Sequence, residues 1–176
     1  MEARKRKPYR PGSPRLATVA DIEPLLELLS EALAAPRGWR RWPLRLLRML
    51  MAAELRGAVA LPARELWLLE AAPGRAPLAA AQLCWDRRRS EAWLSNLVVR
   101  REQRRRGHGR TLMVLMEHRC AALGINGLCL RVRRQAVDAR CFYRVLGFEP
   151  MRGSGNGNGR LLTLTKTIRI RDGKDA

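Results

Sequence analysis

Residues 97–113 read L-V-V-R-R-E-Q-R-R-R-G-H-G-R-T-L-M: an apolar strand end, a basic loop carrying Gly107 and Gly109, then the start of a helix. A strand handed so directly to a helix needs a sheet for itself and a second layer for the helix. The chain must therefore fold as α/β. Glycines let the backbone take positive φ and approach a ligand closely. The first N–H groups of a helix have no partner within it and lie at the positive end of its dipole, which makes an anion site. Arg104, Arg105, Arg106 and Arg110 add positive charge there, and the expected ligand moiety is a pyrophosphate. The segment is not a Walker loop, because no G-x-x-x-x-G-K-S/T occurs, and two glycines fall short of the dinucleotide fingerprint G-x-G-x-x-G.

The rest of the chain supplies the sheet. Residues 1–15 hold six basic residues, one acid and three prolines, and read as a solvated basic arm. Leu16 to Val19 is a candidate first strand. Asp21 is a good N-cap for a helix whose apolar residues, Leu25, Leu26, Leu28, Leu29, Ala32 and Leu33, recur at helical spacing. Pro36-Arg37-Gly38 ends it, and Pro43 can open a second helix with Leu44, Leu46, Leu47, Leu50, Met51 and Leu55 on its apolar face. Glu65 to Ala71, Leu78 to Trp85 and Glu91 to Val99 read as three strands of an antiparallel meander, the first two joined at Pro73-Gly74. A helix from Arg110 to about Leu123, a strand Leu128 to Val132, a helix over 138–146 and a strand Leu161 to Ile168 complete the pattern, with a Gly-rich loop at 153–159. The expected order is β-α-α-β-β-β-α-β-α-β-β: one mixed, mostly antiparallel domain over 16–170, with a frayed tail at 171–176.

Composition limits the partners. Of 176 residues, 35 are Lys or Arg and 16 Asp or Glu, a formal charge of +19; apolar residues make up 47%, enough for a real core. Lysine occurs only at 5, 7, 166 and 174, so the excess is arginine, the side chain that grips phosphate and carboxylate bidentately. No run of about 18 uncharged apolar residues occurs, which excludes a membrane-spanning helix and leaves no membrane partner to expect. Cys84, Cys120, Cys129 and Cys141 have no C-x-x-C spacing, and His108 and His118 are the only histidines. No metal site is expected from such scattered ligands. Each cysteine sits in an apolar stretch, so buried free thiols in the cytoplasm are expected. The Arg-rich, acid-poor start leaves organelle import open.

Arg104-x-x-Gly107-x-Gly109 resembles the R/Q-x-x-G-x-G/A signature of the GNAT N-acetyltransferase family. The string C-F-Y-R-V-L-G-F-E-P at 141–150 resembles that family's F-Y-x-x-L-G-F motif. The resemblance implies a GNAT-like fold and acetyl-CoA as co-substrate. It implies that the amides of Arg104, Arg105, Arg106, Gly107, His108, Gly109 and Arg110 face the pyrophosphate, and that Leu97, Val98 and Val99 run beside the pantetheine arm. It also implies that Tyr143 is the general acid for the departing thiolate, a role that suits a phenol of ordinary pKa about 10. Two departures stand out. The family's V-x-P-x-x-R has Arg101 for its proline, and Ala136 stands where members often carry Asn, seven residues before the tyrosine.

The expected function is direct transfer of acetyl to a primary amine: a protein N-terminus, an amino acid or a small amine. An alkylammonium must lose a proton first. Glu91 is the acidic candidate for that base, since Ser95 and Asn96 are neutral and 128–134 holds no acid. Trp39 and Trp42, among arginines, are acceptor-site candidates. The resemblance also allows a homodimer. The alternative function is a catalytically weak or inactive module of this fold binding RNA, DNA or a ribosome through its arginines, with steep salt dependence.

Overall fold

Alternating apolar patterns of period 2 and period 3.6 give, in chain order, β1 (Pro14–Leu16), α1 (Ile22–Leu33), α2 (Leu44–Ala60), β2 (Arg64–Glu70), β3 (Pro77–Asp86), β4 (Glu91–Val99), α3 (His108–Ala122), β5 (Gly127–Arg133), α4 (Val137–Val145), β6 (Glu149–Pro150) and β7 (Leu161–Thr167). The computed structural model describes residues 13–33, 44–86, 88–151 and 160–170. Trp39, Trp42, most of the basic arm, the Gly-rich loop at 153–159 and the tail lie outside the described residues.

The expected α/β element order is the observed one. The sheet runs β1-β2-β3-β4-β5-β7-β6. Only β4 and β5 pair in parallel among the described residues, as the connection through α3 requires.

Two apolar layers fill the space on either side. Under α1 and α2, Leu25, Leu28 and Leu55 pack on Leu66, Leu68, Ala80 and Val98. Under α3, Leu112, Met113 and Met116 pack on Ala81, Leu83, Leu94 and Leu130, with Phe142 and Tyr143 of α4 and its C-cap Leu146 joining that layer. Strand alternation sorts the residues, so neighbours along β3 or β5 serve opposite layers.

Three boundaries and one burial differ from the expectation. The first strand is Pro14–Leu16, not Leu16–Val19, so the end of the basic arm belongs to the sheet. The Arg15 guanidinium fixes it by reaching Asp21 at 2.7 Å and Glu70 at 2.6 Å. Asp21 lies in a 3₁₀ turn and takes both the amide and the hydroxyl of Thr18, instead of capping α1 itself. Burial alone would raise its carboxyl, but Arg15 and Thr18 outweigh that and hold it at about 2. α3 begins at His108, two residues early, because Gly107 takes the left-handed conformation (φ +87°) and serves as N-cap. Cys141 is exposed, since it lies on the solvent side of α4, whereas Cys120 and Cys129 are buried and Cys84 is half-buried.

Candidate functional site

β4 and β5 pair only from Glu91↔Gly127 to Leu94↔Leu130. Beyond Leu94 they part. β4 bends there because it carries a bulge: Gln82 pairs with Ser95, but Ala80 pairs with Val98, leaving one extra residue on β4. Asn96 absorbs it at φ +51°. The bulge also switches the strand's facing. Leu94 belongs to the α3 layer and Val98 to the α1–α2 layer, while Leu97 and Val99 pack under α3. The edge of β4 facing β5 therefore has no strand partner along Ser95–Val99.

α3 points its N-terminus at this opening. Its first helical bond in the loop comes from the Thr111 amide to the Gly107 carbonyl at 2.9 Å, which leaves the amides of 107–110 without a partner in the helix. No acid lies in its first turn. Arg105 sits at φ +62°, and Arg104 folds back to donate from Nε to the Val99 carbonyl at 3.2 Å. Arg105, Arg106 and Arg110 are exposed. A Cβ on Gly107 would meet nothing within 4 Å, so the space in front of the loop is open. The loop's start is tied to α1: Glu31 accepts from the Arg101 amide at 2.8 Å and faces the Arg100 guanidinium at 3.4 Å. This arrangement fits a pyrophosphate, through unpartnered amides, a helix dipole and cations with no competing carboxylate in the helix turn.

The two sequence motifs meet in space. A Cβ built on Gly109 would lie 3.4 Å from Phe142 and 3.7 Å from Val99, so the strand end, the α3 start and α4 converge there. Tyr143 follows Phe142 and packs edge-on to Phe142 and Phe148 at 5.3 and 5.7 Å. Burial pushes its hydroxyl up to about 12. Ala136 is the N-cap of α4 and gives no side-chain cap.

On the opposite face, α1 and α2 leave a cleft of about 380 Å³ against the bulge, walled by Leu29, Leu50, Met51, Leu55 and residues 96–98. Among the described residues Glu54 is the only ionisable side chain lining it. Its carboxylate accepts from Gln82 Nε2 and from Arg64, both at 3.1 Å, and Gln82 Oε1 in turn accepts from Asn96 Nδ2 at 2.7 Å. Sequence reading missed this group. Glu54 is one acid on an amphipathic helix, and its partner Gln82 is a polar residue inside a strand of alanines; only that buried polar position hinted at a site.

Glu91 stands elsewhere. It pairs with Gly127 at the closed end of the β4–β5 pair, four strand residues short of where the strands part, or about 13 Å. The register thus places it apart from the opening. Among the described residues no cluster could hold a metal ion, and no helix is long and apolar enough to cross a membrane.

Comparison with known proteins agrees with this geometry. No curated protein matches by sequence. The PaiA N-acetyltransferase of Thermoplasma acidophilum, solved with coenzyme A, superimposes with a TM-score of 0.69 at 17% identity, over 88% of this chain and 98% of that one. The ribosomal-protein-S18-alanine N-acetyltransferase of Escherichia coli gives 0.68 at 19%, over 94% and 98%. A GNAT-family acetyltransferase of Staphylococcus aureus Mu50 gives 0.71 at 13%, over 89% and 99%. At such identities these likenesses concern the fold. The model of the acetyltransferase (GNAT) domain matches residues 62–150, which contain the bulged strand, the glycine loop and the tyrosine helix. This chain belongs to the GNAT acetyltransferase family.

Proposed function

We propose that the protein moves an acetyl group from acetyl-CoA to a primary amine by direct attack, with Tyr143 as general acid and Glu54 as the group that takes the amine's proton. The observation that carries this reading is that Tyr143 and Glu54 flank the parted strands from opposite faces of the sheet, Tyr143 in the α3–α4 layer and Glu54 in the α1–α2 cleft.

Acetyl-CoA supplies the acetyl group as a thioester. The amides of 107–110 with Arg104, Arg105, Arg106 and Arg110 would hold its pyrophosphate, and the free β4 edge at Leu97, Val98 and Val99 would hold its arm through main-chain groups. Glu54 accepts one proton from the incoming ammonium, because only the free amine attacks a carbonyl. Tyr143 gives one proton to the departing sulfur and regains one from the nitrogen as the amide forms, so the ammonium loses two protons, CoA gains one and one is released overall as a C–N bond replaces a C–S bond. With its hydroxyl raised to about 12, Tyr143 is fully protonated at neutral pH and always loaded as a donor. That return of a proton completes a donation that would otherwise run uphill, since a free thiolate is a weaker base than the phenolate.

Calorimetry with acetyl-CoA tests this. The wild-type chain binds, and Gly107→Glu, which places a carboxylate before the α3 N-terminus, loses at least about 100-fold in affinity. Equal affinity in that variant would remove the cofactor assignment.

A further inference from the structure

The face of the sheet that carries the Glu54 cleft continues beyond it, across β5 and β7. Leu128, Leu130 and Val132 are buried under α3, so Cys129, Arg131 and Arg133 point to the other face. Leu164 is likewise buried under α3, which puts Thr163 and Thr165 on that same face. Cys129 Sγ and Thr165 Oγ1 meet there at 3.5 Å. α1 and α2 cover β2, β3 and β4 but not this strip, so Arg131 and Arg133 are exposed.

These two arginines differ from the cations that are held in ion pairs. Arg15, Arg64, Arg100 and Arg119 all pair with carboxylates. Arg131 and Arg133 have no carboxylate partner among the described residues. Arg131 instead lies over the Trp93 ring at 5.2 Å, a cation–π contact that does not use its N–H donors. Their position is specific. Arg131 is the first residue of β5 past the last β4–β5 pair, and Arg133 is two residues on, so both flank the opening. Gln82, which holds Glu54, lies on β3, two strand spacings or about 10 Å from β5.

We propose that Arg131 and Arg133 are an anion subsite for the acceptor, so that the favoured acceptor is a primary amine carrying carboxylates about 10 Å from its nitrogen, as in an acidic peptide N-terminus. This rests on the acetyl-transfer reading above. The two guanidinium groups stand on alternate residues of one strand, about 7 Å apart, which is also the repeat of alternate side chains in an extended peptide. The peptide's amine lies at Glu54 and its acidic side chains lie along β5. Charge complementarity selects it: the strip offers two unpaired cations over an aromatic platform, and a basic tail would meet repulsion there.

The test is calorimetry on the full chain, with and without CoA, at physiological ionic strength. The probes are the C-terminally amidated peptides Ala-Glu-Ala-Glu-Ala and Ala-Gln-Ala-Gln-Ala. Wild type should bind the acidic peptide at least about tenfold more tightly than the neutral one. The double variant Arg131→Gln/Arg133→Gln should bring that ratio to about one while leaving acetyl-CoA affinity unchanged. Arg88→Gln/Arg89→Gln, which removes two exposed charges at the β3–β4 turn, should leave the ratio intact and so separates the subsite from the general positive field. Equal binding of the two peptides by wild type, or an equal loss in both double variants, overturns the proposal. So does tighter binding of an oligouridylate of equal charge that vanishes with Arg131→Gln/Arg133→Gln, which would assign the strip to nucleic acid. Failure of acetyl-CoA to bind would sink the acetyl-transfer reading instead, and the peptide titration without CoA is read separately.

Discussion

The two ends of the β4–β5 pair are built from the same strands and do opposite work. At the closed end, Ala92, Leu94, Leu128 and Leu130 are 5% exposed or less and join the α3 layer. At the open end the main chain of Ser95–Val99 has lost its β5 partner, and β5 presents the exposed Arg131 and Arg133. One extra residue at Asn96 separates the two regimes. A sheet can thus place an opening beside its tightest packing, with no separate loop to carry the site, and the packed end holds the parted strands at a fixed angle.

This contrast makes predictions that fall at one end or the other. Leu128→Ala, at a fully buried position of the closed end, should cost about 3 kcal/mol in unfolding free energy by denaturant titration. Turnover per folded molecule should stay within about twofold. Tyr143→Phe should do the reverse: kcat falls about 100-fold in a thiol-release assay, with the denaturant midpoint and acetyl-CoA affinity almost unmoved. If Tyr143→Phe keeps full activity, Tyr143 is not the acid; the binding-module alternative gains only if the wild-type chain itself releases no thiol. Glu54→Gln should lower kcat/KM about tenfold near neutral pH, and by less at higher pH, where more of the acceptor amine is already free. Glu91→Gln, at the closed end, should leave turnover within about twofold; a large loss there would break the division of labour.

A pH dependence of stability follows from Asp21. Its carboxyl lies below its ordinary value in the folded chain, at about 2 against 3.8. The contribution is therefore fully present above pH about 4 and lost as pH falls toward 2, when the folded state must take up that proton too. Asp21→Asn should cost about 1–2 kcal/mol at pH 7, where the Arg15 pair is intact, and little at pH 2.

Much of this architecture could be read from the chain. The glycine loop before α3 and the F-Y string of α4 are local signals. Each needs particular residue types at fixed spacing, and the two prove to touch through Gly109 and Phe142. Element order followed from periodicity for the same reason. The point where β4 leaves β5 could not be read, because Ser95-Asn96-Leu97 carries no glycine or proline to mark a bulge. Nor could Glu54, whose role depends on how α2 packs across β3 to reach Gln82. Glu91 is a candidate in the sequence by its charge and its strand; where along that strand the pairing ends is a property of the folded sheet. The bounds of the N-terminal strand are not legible locally, because the anchor of Arg15, Glu70, lies 55 residues away.

The contact at Gly109 sets a tolerance for the whole assembly. The gap between that backbone and the Phe142 ring is one missing side chain wide. Any branched residue at 109 would shim α4 away from the sheet and carry Tyr143 with it. The alignment of Tyr143 is thus gauged by an absent atom on a different helix, and positions 109 and 142 should trade volume one against the other wherever this pair of segments is rebuilt.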